Sequence, residues 1–216
     1  QVEMKLEEGG MTMVNIPANV QAELLRLTDA KNKVIDMIKQ YKANNDFETA
    51  KYLIDKYNQI EKIYRVLRGE YDVLYFAYEY FSEERNPEND NNLIPKGTFF
   101  EDAPEFHRIL CGKLDELNEK PTKKICWSVP RGHAKSGYMS NVFPVHQISY
   151  KKRHYILIVS ETGGMSRAFV DWVNGQLKYN KKLREDFGEV LSPNKMMNEL
   201  DNQDAFITHT GIKVQA

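Results

Sequence analysis

The chain has 216 residues, 41% of them hydrophobic and 28% charged, with a formal net charge of -1, which suits a soluble globular protein with a sizeable core. No run of about 18 apolar residues occurs, which excludes a transmembrane helix, and "QVEMKLEEGG" lacks the basic-then-apolar pattern of a secretory signal. The two cysteines, Cys111 and Cys126, exclude a disulfide scaffold and point to a reducing, intracellular setting.

Residues 1–16 carry Gly9-Gly10 and little periodicity, and are expected to be a flexible arm. Residues 17–85 form a helical N-terminal region. Leu27, Val34 and Ile38 make one stripe of a first helix over 17–43. Asp46 is a candidate N-cap for a second helix, in which Leu53, Tyr57, Ile60, Tyr64 and Leu67 recur at helical spacing. The short break between them predicts an antiparallel hairpin. "YDVLYFAYEYF" predicts a third, aromatic helix, whose rings could stack on nucleic-acid bases but fit better as core filling. The polar stretch 86–97, bounded by Pro87 and Pro95, reads as a linker.

From residue 98 the pattern changes. A helix is predicted over 104–117. "KKICWSVP" reads as a strand that buries Cys126 as a free thiol, and a helix starts near Lys135, to be kinked or ended by Pro144. "RHYILIVS" reads as a buried parallel strand. A helix follows over 163–177, then a hairpin around Thr210-Gly211. The order strand, loop, helix, strand, helix predicts an α/β fold: a partial, truncated P-loop NTPase-type parallel sheet core, preceded by the helical hairpin region.

The loop between the first strand and its helix carries the chemistry. The standard phosphate loop reads GxxxxGK[ST]. In "VPRGHAKSG" Val129 and Ala134 stand at the glycine positions, while Lys135 and Ser136 match. Such a loop needs backbone N–H groups that converge on an anion, a helix that begins at the phosphate, a Lys for the outer phosphates and a hydroxyl for Mg²⁺. Gly132 can take the unusual backbone angle, and Ala134 is small enough for close approach. Arg131 adds a second cation. Residues 120–160 hold eight basic residues and no acid, which suits a polyanionic ligand, or equally a surface balanced by acids elsewhere. The turn "YKKRHY" could touch DNA phosphates or lie free in solvent. No Cys/His cluster has zinc spacing.

"PRGHAKS", then "ILIVSET", an alanine-bearing helix, "LREDFG" and "FITHTGIKVQA" together resemble the large terminase subunit of tailed bacteriophages, over about residues 95–216. That family is the ATPase motor, joined to a nuclease, that packages double-stranded DNA into proheads. The resemblance implies ATP and Mg²⁺ as cofactors and a phosphate site over Pro130, Arg131, Gly132, His133, Ala134, Lys135, Ser136 and Gly137. It gives Lys135 the β/γ-phosphates, Ser136 the Mg²⁺ and Arg131 a role in cis on the γ-phosphate. Phe106 and His107 of "PEFH" would flank the adenine, although His107 also reads as a surface helix histidine. Ser160, Glu161 and Thr162 would couple hydrolysis to DNA movement, or simply cap a helix. The implied partners are double-stranded DNA, a portal protein, a small terminase subunit and further copies in a homo-oligomeric ring. The implied location is the host cell cytoplasm during phage assembly. The family's acidic pair for Mg²⁺ and water, and its nuclease carboxylates, have no counterpart here. The chain therefore reads as the front part of a longer protein, poorly active in hydrolysis alone. Two other readings stand beside this one: a helical partner-docking module on a P-loop base, and another P-loop motor such as a helicase.

Overall fold

Two long helices open the chain. A computed structural model describes residues 16–119, 124–129 and 131–216; the arm expected over 1–16, except Ile16, and Pro130 of the loop lie outside the described residues. Helices α1 (Ala18–Ala43) and α2 (Phe47–Tyr71) pack along each other as the predicted hairpin. Asp46 caps α2 by accepting from the Thr49 N–H at 3.1 Å. Ile16, Val20 and Leu24 bury themselves against Tyr64, Leu67 and Tyr71 at the base of the hairpin.

Helix α3 (Val73–Phe81) is the hub of the molecule, and each of its nine residues is buried. That settles its aromatics as core. Phe76 alone meets Tyr80, Phe81, His146, Tyr150 and Phe187. Two carboxylates hold its N-terminus: Asp72 accepts from the Tyr75 N–H at 2.9 Å and Asp115 from the Val73 N–H at 3.0 Å. These satisfy donors that a helix start leaves unpaired. The hairpin is tied to the body by Asp186, whose fully buried side chain takes a two-pronged contact from Arg65 at 2.7 and 2.9 Å and the Tyr80 hydroxyl at 2.6 Å.

The stretch 86–97 is folded onto α3. Asn86 donates to the Tyr80 carbonyl and to Asn180 Oδ1, both at 2.9 Å, and the N–H groups of Leu93 and Ile94 donate to the Phe81 carbonyl. Helix α4 (Glu105–Glu119) then leads to the loop. After the loop comes a π-helical stretch, Gly137–Val142, followed by α5 (Phe143–Ser149), α6 (Gly163–Tyr179) and α7 (Lys181–Phe187). Pro144 neither ends nor breaks this run. It sits in the first turn of α5, where the π-helical stretch passes directly into that helix.

Among the described residues the expected α/β fold, with a P-loop-type parallel sheet core, is not present. Among the described residues the fold is seven α-helices with one small mixed sheet of three-residue strands: β1 (Tyr155–Leu157), β2 (Ala205–Ile207) and β3 (Lys213–Gln215), in the order β1-β3-β2. The terminal hairpin is as predicted, with β2 and β3 antiparallel and Gly211 at φ 79° in its turn. Strand β1 pairs parallel to β3, and it is not buried: Tyr155 and Leu157 are half exposed.

Residues 124–129 form no strand, and Cys126 is exposed. Their burial nonetheless alternates, with Ile125, Trp127 and Val129 half-buried and Lys124, Cys126 and Ser128 exposed. The side chains obey a strand's period of two, but the backbone has no ladder partner among the described residues. An apolar run specifies which side chains turn inward; it does not supply a neighbouring strand.

Candidate functional site

The loop that joins Val129 to the π-helical stretch is built around two left-handed residues. Gly132 lies at φ 85° and Ala134 at φ 52°. Gly132 is free to do this. Ala134 holds a conformation that opposes its Cβ by roughly 1–2 kcal/mol. In the pattern GxxxxGK[ST] this position is a glycine, the residue that takes a left-handed conformation without strain.

The helical turn beginning at Lys135 follows at once. None of the N–H groups of residues 132–136 has a hydrogen-bond partner among the described residues. They border a concavity of about 410 Å³ lined by Gly132, His133, Ala134, Lys135, Ser136 and Gly137. Lys135 is half-buried, Arg131 and Ser136 are exposed, and none of the three side chains has a partner among the described residues. Unpaired N–H groups at a helix start, with Lys135 lining the same concavity, are a favourable environment for a polyanion.

The structure brings the two adenine-side candidates to this loop. Phe106 packs edge-on against Trp127 and His133, and His107 lies 4.8 Å from the Tyr138 ring, between ring centres. His107 Nε2 meets the His133 carbonyl at 3.2 Å, and His133 Nδ1 meets the Arg131 carbonyl at 3.2 Å. Burial holds the His107 imidazole below its ordinary pKa; its bond to the His133 carbonyl opposes this, and the neighbouring His133 ring adds to it. Burial also raises the Tyr138 hydroxyl well above its usual range.

A second, apolar pocket of about 220 Å³ adjoins the loop, with Ala134, Gly137 and His107 in its wall. Its remaining lining includes Tyr78, Leu93, Pro95, Thr98 and Tyr138. Sequence reasoning missed this pocket. The signal was present: Leu93-Ile94 and Pro95 are apolar residues in an otherwise polar stretch, and such residues need a surface to bury against.

The other candidates stand apart. Thr162 caps α6, its hydroxyl accepting from the Met165 N–H at 3.3 Å, and Ser160, Glu161 and Thr162 make no hydrogen bond to the loop among the described residues. In the basic turn, Lys152 pairs with Glu70 at 3.0 Å and Arg153 donates to the Leu117 carbonyl at 2.6 Å, which leaves Lys151 as its exposed cation.

Mg²⁺ fits the loop in one respect: Ser136 offers an exposed, unpartnered hydroxyl one residue after Lys135. Among the described residues no cluster of three His, Cys, Asp or Glu could hold a metal. A Mg²⁺ here would be held by Ser136, phosphate oxygens and water, a common arrangement for this ion with nucleotides. Compared with protein-family models, curated proteins and solved structures, the chain matches none. Among the described residues no helix is long and apolar enough to cross a membrane.

Proposed function

We propose that residues 131–136 are the phosphate cradle of a Mg-ATP site. The observation that carries this reading is the row of N–H groups from Gly132 to Ser136, unpaired among the described residues, beside Lys135. In it, the loop amides and the helix start take the phosphate oxygens, Lys135 reaches the outer phosphates, and Ser136 supplies a Mg²⁺ ligand. Arg131 meets charge that develops on the terminal phosphate, a placement worth about 10³ or more in rate where it is established. The adjoining apolar pocket suits a base, with His107 and Tyr138 in its wall.

The quoted motifs extend the reading to the large-terminase class: an ATP-driven motor for double-stranded DNA, assembled as a ring on a portal with a small subunit, in the host cytoplasm. The support for that step is sequence resemblance alone, and the nucleotide reading stands without it.

The test is titration of a fluorescent ATP analogue with Mg²⁺ against the wild type and Lys135→Ala. Saturable binding that weakens at least about tenfold in the variant, the effect of losing one charge-assisted contact, supports the cradle. Equal binding by both proteins, or none by the wild type at millimolar ligand, removes it.

A further inference from the structure

Two carbonyls of the loop are held by histidines. The His133 carbonyl accepts from His107 Nε2 and the Arg131 carbonyl from His133 Nδ1, each at 3.2 Å. A carbonyl can only accept, so both of those ring nitrogens must carry the proton. For neutral His107 this makes Nδ1 the acceptor, and the Tyr138 hydroxyl lies 3.5 Å from it. A directed chain results: Tyr138 O–H toward His107, His107 N–H to the His133 carbonyl, His133 N–H to the Arg131 carbonyl.

The peptide unit is planar and trans, so its N–H points opposite to its carbonyl. Turning the His133 carbonyl toward His107 turns the Ala134 N–H the other way. Turning the Arg131 carbonyl toward the His133 ring does the same to the Gly132 N–H. The two amides fixed in this way belong to the two left-handed residues of the loop. Ala134 does not favour that conformation by itself, so a contact from outside the loop is needed to hold its peptide.

We propose that His107 is a positioning residue for the anion site: from α4 it sets the orientation of the 133–134 peptide, and so presents the Ala134 N–H to the phosphate. This rests on the phosphate-cradle reading and adds a role that does not depend on contact with the base. Because the same ring forms part of the apolar pocket wall, filling of the pocket and the shape of the cradle are linked through one side chain.

The probe is inorganic tripolyphosphate with Mg²⁺, which has no base and so reads the cradle alone. Binding is measured by calorimetry for the wild type, His107→Gln, His107→Phe and His107→Ala. Gln keeps an N–H donor near the place of Nε2, Phe keeps a ring without one, and Ala serves if the Phe variant does not fold. We expect His107→Gln to bind within about threefold of the wild type and the Phe or Ala variant to lose about tenfold, the scale of one hydrogen bond. A general packing role would instead weaken the Gln variant as much as the others. Wild-type binding with no difference among the variants, or with Gln as poor as Phe, overturns the role of His107 and leaves the cradle. Failure of the wild type to bind either tripolyphosphate or ATP overturns both.

Discussion

Gly69, in the last turn of α2, offers the most direct check on how the helical hairpin seats against the element that follows the loop. A Cβ at this position would lie 2.7 Å from the Tyr150 hydroxyl oxygen and 3.4 Å from Phe76 Cδ2. The Tyr150 hydroxyl donates to the Val66 carbonyl at 2.8 Å, and His146 donates to the Gly69 carbonyl at 2.9 Å, so α5 docks on α2 here. Gly69→Ala sets two effects against each other. Helix propensity favours Ala by roughly 1 kcal/mol. Against it, displacing the hydroxyl loses a hydrogen bond of about 1 kcal/mol and overpacks a tight contact at about 1–3 kcal/mol. The balance is a loss of about 1–3 kcal/mol. Tyr150→Phe removes the clashing oxygen, so Gly69→Ala should be close to neutral in that background, a coupling of about 1–3 kcal/mol. Urea unfolding of the wild type, both single variants and the double variant measures this, provided the denaturant slope is unchanged. A Gly69→Ala protein more stable than the wild type, or one equally destabilised in both backgrounds, would refute the reasoning.

Other outcomes follow from the same structure. Arg65→Ala leaves the fully buried Asp186 carboxylate without its main cation and should destabilise the fold by about 3–5 kcal/mol in urea titrations; a change under about 1 kcal/mol would contradict the buried tie. His146 is fully buried, donates to the Gly69 carbonyl, accepts from Gln147 at 3.0 Å and has its pKa pushed down to about 3, chiefly by burial. The unfolded chain therefore binds a proton that the folded one refuses. The stability from neutral His146 is complete above about pH 6.5 and is lost as pH falls toward 3, at up to about 1.4 kcal/mol per pH unit. Wild-type stability should fall more steeply between pH 6 and 4 than that of His146→Gln, and parallel pH profiles would argue against a buried neutral imidazole. Ala134→Gly relieves the left-handed strain but adds freedom to the unfolded chain, so thermal unfolding should show a gain between zero and about 1 kcal/mol; a clear loss would mean that the Ala134 methyl packs productively.

The helical half was readable from the sequence because its information is local. Leu53, Tyr57, Ile60, Tyr64 and Leu67 mark one face by spacing alone, and Asp46 three residues before Thr49 is a capping pair within one turn. The terminal hairpin was readable for the same reason, through Gly211 in its turn. The sheet was not. Ile125, Trp127 and Val129 alternate as strand residues do, yet a strand also needs a partner, and pairing is a relation between distant segments that a single run does not encode. The exposure of Cys126 follows from that failure, since the face expected to cover it is not there. At the site, Gly132, Lys135 and Ser136 could be singled out from type and spacing. The left-handed Ala134 could not, because nothing in an alanine announces it. The contact of His107 with the loop backbone depends on how α4 docks, which only the fold supplies.

The central claim is that the amides of residues 132–136 meet a phosphate. The most direct measurement is the amide spectrum of isotopically labelled protein during titration with Mg-ATP, and separately with adenosine. The account predicts that the amide resonances of Gly132 to Ser136 shift saturably with Mg-ATP and shift much less with adenosine, which reaches the loop only through His107. Loop amides that do not move at saturating Mg-ATP, while resonances elsewhere do, would contradict it.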